Sequence, residues 1–122
     1  MKLGELARPS TACSLEDRRR LSELLARAIR LGPVTRRLLR HALGMRGAHT
    51  AGEIANAVGC SASLVRKNLP LFAACGHRRY TPLYKSHPLL RMLLEDAVSA
   101  LKPRARQRDA AYFGLLDSPE NT

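Results

Sequence analysis

One short run of the chain carries polar and cationic side chains at the spacing of a helix face. In residues 61–69 the apolar residues recur at helical spacing, so they would share one face of a helix and pack toward the core. The side chains then left to contact a partner are Ser61, Ser63, Arg66, Lys67 and Asn68. Hydroxyl, guanidinium, ammonium and amide groups can hydrogen-bond base edges or phosphates. The chemistry that they could perform is therefore recognition of a nucleic acid, with Arg66 the residue best suited to guanine.

Two short helices joined by a tight turn would position this surface. Thr50 is suited to cap the first helix and Ser61 the second, while Gly59 can take the left-handed conformation that ends the first. The residues expected to face inward are Ala51, Ile54, Ala55 and Val58 in the first helix and Leu64, Val65, Leu69 and Phe72 in the second, with Cys60 filling the turn. The spacing therefore predicts a helix-turn-helix over residues 50–69.

Residues 33–86 resemble the winged helix-turn-helix transcription regulators, a group that includes the multiple-antibiotic-resistance and arsenic-sensing repressors. The residues that match the helix-turn-helix pattern are Ala55, Gly59, Val65 and Leu69. The resemblance implies that residues 72–76 end the recognition helix, with Gly76 just past its C-terminus. It also implies a wing of two short strands, residues 77–80 and 83–85, joined through residues 81–82. The short wing departs from the family, and so does Pro70, which disfavours a helical geometry in the residues before it.

A second helix placed in the major groove would bring further cations near the DNA. On the wing, Arg78, Arg79 and Lys85 are expected along the backbone or in an adjacent minor groove. On the preceding helix, Arg36, Arg37 and Arg40 are expected to brace phosphates; the alternative for these three is a solvated helix face without specific contacts. These positions would contribute affinity more than sequence choice.

Composition agrees with a nucleic-acid partner. The chain has 21 Lys plus Arg against 10 Asp plus Glu, a net charge of +11 and a pI of about 10.8. So large a positive excess in 122 residues favours a polyanion. Arginine outnumbers lysine by 17 to 4, which suits bidentate contacts, although a GC-rich genome would produce the same bias. Because only three tyrosines and two phenylalanines could stack on single-stranded bases, duplex DNA is the favoured partner.

Amphipathic helices flank the motif on both sides. Residues 1–13 are expected to form a flexible leader, after which Ser14 is suited to cap a helix that ends near Gly32. Pro33 suits the first turn of a second helix. The apolar stripes of these two helices are Leu21, Leu24, Leu25, Ala28 and Ile29, then Val34, Leu38, Leu39, Ala42 and Leu43.

A third amphipathic helix is predicted after the wing, from residue 86 up to Pro103. Its stripe is Leu90, Leu93, Leu94, Ala97, Val98 and Leu101. The stripe would either pack on the domain or pair with its mate in a second subunit. We expect a homodimer through Leu90, Leu93, Leu94, Ala97 and Leu101, and in addition through Leu21, Leu24, Leu25 and Ala28. Residues 103–122 are expected to form a basic-to-polar tail with a helical turn at residues 110–116 and a mobile end.

Several function classes are disfavoured. No apolar run approaches the roughly 18 residues of a membrane span, and the N-terminus lacks a secretory segment, so we expect a cytoplasmic protein without a membrane partner. The three cysteines are odd in number and lack the paired spacing of zinc ligands, which argues against a disulfide framework. The four histidines lack an acid partner at a motif spacing, and neither a glycine-rich phosphate loop nor a serine nucleophile signature occurs. We therefore expect no enzyme activity, no metal and no cofactor.

One alternative is a metal or redox sensor built on Cys75 and His77, joined by Cys60 or His87. A cysteine is more often simply buried, and a histidine simply exposed, than part of such a sensor, so this alternative is not favoured.

The sequence thus predicts a mainly α protein, with a winged helix-turn-helix and flanking helices over residues 14–102. The favoured function is that of a sequence-specific regulator of transcription that binds duplex DNA and acts as a dimeric repressor on a palindromic site. One alternative is an architectural or RNA-binding protein without sequence preference. Another is a protein-interaction module that has kept the winged fold, for which Pro70 and the short wing argue.

Overall fold

The structure, a computed structural model, describes residues 14–115; the predicted leader, Cys13 and residues 116–122 lie outside that range. The order of elements is α1 (Leu15–Ala28), α2 (Pro33–Gly44), α3 (Ala51–Val58), α4 (Ala62–Lys67), a 3₁₀ turn (Leu69–Leu71), β1 (Phe72–Arg78), β2 (Thr81–Ser86), α5 (Leu90–Ser99) and α6 (Pro103–Tyr112). The described part of the chain is mainly helical, with a two-stranded antiparallel sheet between α4 and α5. None of its helices combines the length and the apolar content needed to cross a membrane.

The predicted helix caps are confirmed. The Ser14 hydroxyl accepts a hydrogen bond from the Asp17 amide at 3.0 Å at the start of α1. At the start of α3, Thr50 and Glu53 each accept a hydrogen bond from the other's amide, which forms a complete capping box. Gly59 ends α3 with a φ of 84°, in the left-handed region that a glycine adopts without steric penalty. These local contacts fix where α1 and α3 begin and where α3 turns into α4.

Helices α1 and α5 pack against each other and bury the apolar stripes that were expected to form a dimer interface. The buried members are Leu21, Leu24, Leu25 and Ala28 on α1 and Leu90, Leu93, Leu94 and Val98 on α5, while Ala97 and Leu101 are partly buried. A side chain buried within its own chain is not available to a second copy. The structure therefore does not support a dimer interface through these residues, because the two stripes complete a core within one chain.

The segment after α4 differs from the prediction. Residues 72–76 are not the end of a helix, because α4 stops at Lys67 and β1 starts at Phe72. Pro70 explains the break, since it lacks an amide donor for the helix and lies instead in the 3₁₀ turn. Strand β1 pairs with β2 from Phe72↔Ser86 to Arg78↔Thr81. The hairpin is therefore longer than the predicted short wing, and Gly76 lies in a β-bulge with a φ of 120° rather than at a helix end.

The flanking helices also differ in detail. Val34 was expected to face inward on α2 but is exposed at 37%, whereas Leu38 and Leu39 are fully buried. Helix α5 begins at Leu90 rather than at residue 86. Residues 103–112, expected to begin a tail, form α6, and Ala110 and Phe113 are buried in the core.

Candidate nucleic-acid interface

Helix α4 presents a short cationic face. Val65 is fully buried against the core, while Ser63, Arg66 and Lys67 are exposed, as the spacing predicted. Neither Arg66 nor Lys67 makes an ion pair with any residue of the 14–115 range. At about 1.5 Å per residue, a helix of six residues is roughly 9 Å long. The face is therefore small, and two adjacent cations dominate it.

Two of the predicted contact residues are used to hold α4 itself. The Ser61 hydroxyl caps the helix by accepting from the Leu64 amide at 3.1 Å, although the residue stays exposed and its hydroxyl hydrogen can still donate. Asn68 was expected to face outward but is only 6% exposed. Its amide nitrogen donates to the Leu64 carbonyl oxygen at 2.8 Å and so satisfies the C-terminal end of α4. Asn68 is therefore a structural residue here and does not reach a partner.

The β1–β2 hairpin is tied to the first turn of α3. The Arg78 guanidinium donates a hydrogen bond to the Glu53 carboxylate, which also takes part in the capping box. The backbone hydrogen bond from Thr50 and the Arg78 contact hold the pKa of the Glu53 carboxyl below its usual value. At the base of the hairpin, His49 and Tyr84 exchange two backbone hydrogen bonds of 2.8–2.9 Å. Arg78 thus braces the hairpin, whereas Arg79 and Lys85 are exposed and make no ion pair within the described residues.

The tip of the hairpin has an unusual backbone. Because Arg78 pairs with Thr81, the loop consists of Arg79 and Tyr80, with φ values of 50° and 70°. Positive φ at both central residues is the signature of a type I′ turn, which strongly prefers Asn-Gly. The Tyr80 side chain is 96% exposed. The sequence pattern predicted the joint at residues 81–82 and gave no sign of this turn, because Arg-Tyr carries none of the usual turn signals.

The arginines of α2 divide into two groups. Arg36 was expected to face outward, but its guanidinium donates to the Ile29 carbonyl oxygen at 2.8 Å and to the Asp109 carboxylate at 2.9 Å. It also lies over the rings of Tyr112 and Phe113, at 4.9 and 5.2 Å from their centroids. This arginine joins α2 to α6 and is not free to brace a phosphate.

Arg37 and Arg40 remain exposed on α2. Arg40 rests over the Tyr112 ring at 4.9 Å, and both arginines border a surface depression of about 320 Å³ next to Ala57 of α3. His41 lines the same depression, but burial and the nearby His49 lower its pKa. The depression therefore owes its positive charge at neutral pH to the two arginines.

The distribution of acidic residues strengthens the cationic character of this region. Between Glu53 and Glu95 the sequence contains no aspartate or glutamate. The same stretch spans most of α3, all of α4 and the whole hairpin, and its cations are Arg66, Lys67, Arg78, Arg79, Lys85 and Arg91. Arg78 pairs with Glu53 and Arg91 with Glu95, the acidic residues at the two ends of the stretch. The other four cations make no ion pair within residues 14–115, so their positive potential extends into solvent.

The thiol and imidazole groups that the structure describes do not assemble into a cluster of metal ligands. No cluster of three or more potential His, Cys, Asp or Glu ligands occurs among residues 14–115. Cys75 and His77 are both exposed on β1. Cys60 is partly buried at the α3–α4 turn, and this burial raises the pKa of its thiol although Arg37 opposes the shift. His87 is half-buried, which lowers its pKa.

Comparison of the chain with protein-family models, with curated proteins and with solved structures finds no match in any of the three. The function of the protein is therefore inferred from its own residues and their geometry.

Proposed function

We propose that the protein is a cytoplasmic, sequence-specific regulator of transcription that binds double-stranded DNA through a winged helix-turn-helix, with α4 in the major groove. The observation that carries the proposal is the exposed pair Arg66 and Lys67, held without ion pairs to the described residues on a helix that Gly59 and Ser61 fix at a sharp turn after α3. A helix of this kind can enter the major groove, which is about 12 Å wide.

The order of elements supports this proposal. Helix α3, the turn, helix α4 and an antiparallel hairpin follow one another as in the winged helix-turn-helix regulators that the sequence resembles. The Arg78–Glu53 contact fixes the hairpin to α3, which also carries α4. A hairpin and a groove helix that share one support can contact the same duplex with little loss of conformational freedom.

The proposal gives each exposed group a role. Arg66 donates in bidentate fashion to a guanine edge, and Lys67 contacts a base edge or a flanking phosphate. Ser61, Ser63, Arg79 and Lys85 contact the DNA backbone, as do Arg37 and Arg40 if the duplex reaches the α2 side. Each chain would place one α4 in one groove, and occupation of a promoter would repress the gene beside it.

The test is selection of bound duplexes from a random pool, followed by binding measurements with the double variant Arg66→Ala, Lys67→Ala. We expect the selected site to lose most of its advantage over unrelated duplexes, because a good bidentate contact contributes about 1–3 kcal/mol of discrimination, roughly tenfold to a hundredfold. The slope of log affinity against log salt should also fall by about one for each phosphate that the variant no longer neutralises.

A matched control is the double variant Arg19→Ala, Arg20→Ala on α1. It removes the same charge from an exposed surface whose arginines are already paired with Glu16. We expect site preference and salt slope to change little. If the two double variants weakened binding equally and no duplex were enriched, the protein would bind by charge alone, as an architectural or RNA-binding protein does.

The brevity of α4 favours one second candidate, a module that binds another protein. Six residues offer few positions for reading bases, and Asn68 is withdrawn from the surface. In that case, removal of the Arg66 and Lys67 side chains would leave binding of the partner unchanged, and no duplex would be selected.

A further inference from the structure

Tyr80 at the hairpin tip has a conformation and an exposure that the fold does not require. The residue is 96% exposed, yet it and its neighbour Arg79 both adopt positive φ. Non-glycine residues other than Asn and Asp rarely adopt this conformation, and strained backbone of this kind concentrates at binding sites. An Asn-Gly pair would form the same turn with less strain. The residue choice at the tip therefore points to a contact outside the chain.

We propose that Tyr80 is a minor-groove wedge, whose ring enters the minor groove and stacks against a base step that it partly opens. This inference rests on the proposed binding of duplex DNA. Proteins that bend DNA from the minor groove insert apolar side chains between base pairs and flank them with arginines. A tyrosine ring that enters edge-on from a two-residue tip is narrow enough for a groove about 6 Å wide.

The neighbourhood of the tip favours DNA over a protein surface. Arg79 and Lys85 are exposed cations on the same hairpin, and the sequence has no acidic residue from position 54 to position 94. A side chain that separates bases must also be held rigidly. The hairpin is held in this way, because the Arg78–Glu53 contact and the His49–Tyr84 bridge anchor it to α3 and to the chain just before α3.

The proposal predicts that a duplex that is already weakened at one step binds more tightly, since part of the unstacking has been done. The probes are two duplexes about two helical turns long that both carry the selected site, identical except that one has two adjacent mismatched base pairs beside that site. We expect the full chain to bind the mismatched duplex about fivefold more tightly, and Tyr80→Gly to bind the two duplexes equally. Glycine suits the positive φ of the tip, so that variant keeps the turn and should unfold at the same or a higher temperature.

The control is Tyr80→Phe, which keeps the ring and should keep the preference. If the wild-type chain binds both duplexes equally, or if Tyr80→Gly retains the preference, the wedge is overturned while binding of duplex DNA stands. If the wild-type chain binds neither duplex, the proposed function itself fails and the wedge fails with it. The two failures are therefore distinguishable in one experiment.

Discussion

Gly59 shows how a single residue sets the geometry of the candidate interface. Its φ is 84°, and a Cβ added there would meet no atom within 4 Å. The cost of Gly59→Ala is therefore conformational rather than steric. We expect the substitution to lower the free energy of unfolding by about 1–2 kcal/mol, the usual penalty for a left-handed L-residue. Urea unfolding of the variant and the wild type measures the difference.

Gly44→Ala is the matched control for that experiment. Gly44 is the last residue of α2, has no positive φ and would also place its Cβ in open space. Alanine should therefore stabilise the protein, by up to about 1 kcal/mol, because it favours the helix and restricts the unfolded chain. A fall in stability in both variants would contradict the conformational explanation, whereas opposite signs would support it.

At the residue scale, the roles of capping and turn residues could be predicted from the sequence, because they depend on local contacts. Thr50, Gly59 and Ser61 act within four residues of their own positions, and each has the predicted role. Arg36 and Asn68 were wrongly predicted to face outward. A helical pattern shows which face a residue occupies, but not that Asp109, 73 residues away, pairs with Arg36. The Asn68 prediction failed because α4 ends one residue before it.

At the element scale, the Arg36–Asp109 pair attaches α6 to α2. The Asp109 side chain is only 2% exposed and that of Arg36 is 19% exposed. If Asp109 is removed, the Arg36 guanidinium is left without an opposite charge in a largely desolvated environment. We expect Asp109→Ala to lower the free energy of unfolding by about 3 kcal/mol, the lower end for a broken buried pair, because Arg36 retains some solvent. Chemical denaturation followed by far-ultraviolet circular dichroism gives the value.

Arg108 provides the comparison for this pair. It also lies 3.2 Å from the Asp109 carboxylate, but its side chain is 67% exposed. Since exposed ion pairs contribute at most about 1 kcal/mol, Arg108→Ala should have a small effect. If Asp109→Ala were equally mild, α6 would be held by its apolar contacts and not by the ion pair.

The elements that were wrongly predicted share a physical cause. Residues 72–78 contain small and polar residues whose pattern favours neither a helix nor a strand, so tertiary pairing with β2 decided the outcome. Helix α6 has little amphipathic character, and the residues that it buries include a charged one, Asp109. From its sequence alone, such a helix is expected to lie in solvent, because the pairing of Asp109 with Arg36 on α2 is not visible in the sequence. The strongly periodic helices α1, α2 and α5 were predicted correctly as elements, although not in what they pack against.

At the scale of the whole molecule, the first and fifth helices close one core. Sequence periodicity shows that both stripes must be buried somewhere, but it cannot distinguish burial within a chain from burial between chains. The contacts between α1 and α5 resolve this choice for the described residues. The cations of α4 and the hairpin are then presented on a scaffold that buries these two stripes within one chain.

This arrangement makes a last prediction about Leu94, which is fully buried on α5. Leu94→Ala removes core contacts within one chain, and we expect the free energy of unfolding to fall by about 2–5 kcal/mol. The fall should be the same at protein concentrations that differ by about a hundredfold, because a contact within one chain does not depend on mass action. Met92 lies on the same helix but is 40% exposed, so Met92→Ala should change stability little. Denaturant midpoints measured over that range of concentrations test both expectations. If the wild-type midpoint itself fell as the protein was diluted, burial of the stripe would depend on an association between chains, and the single-chain core would be rejected.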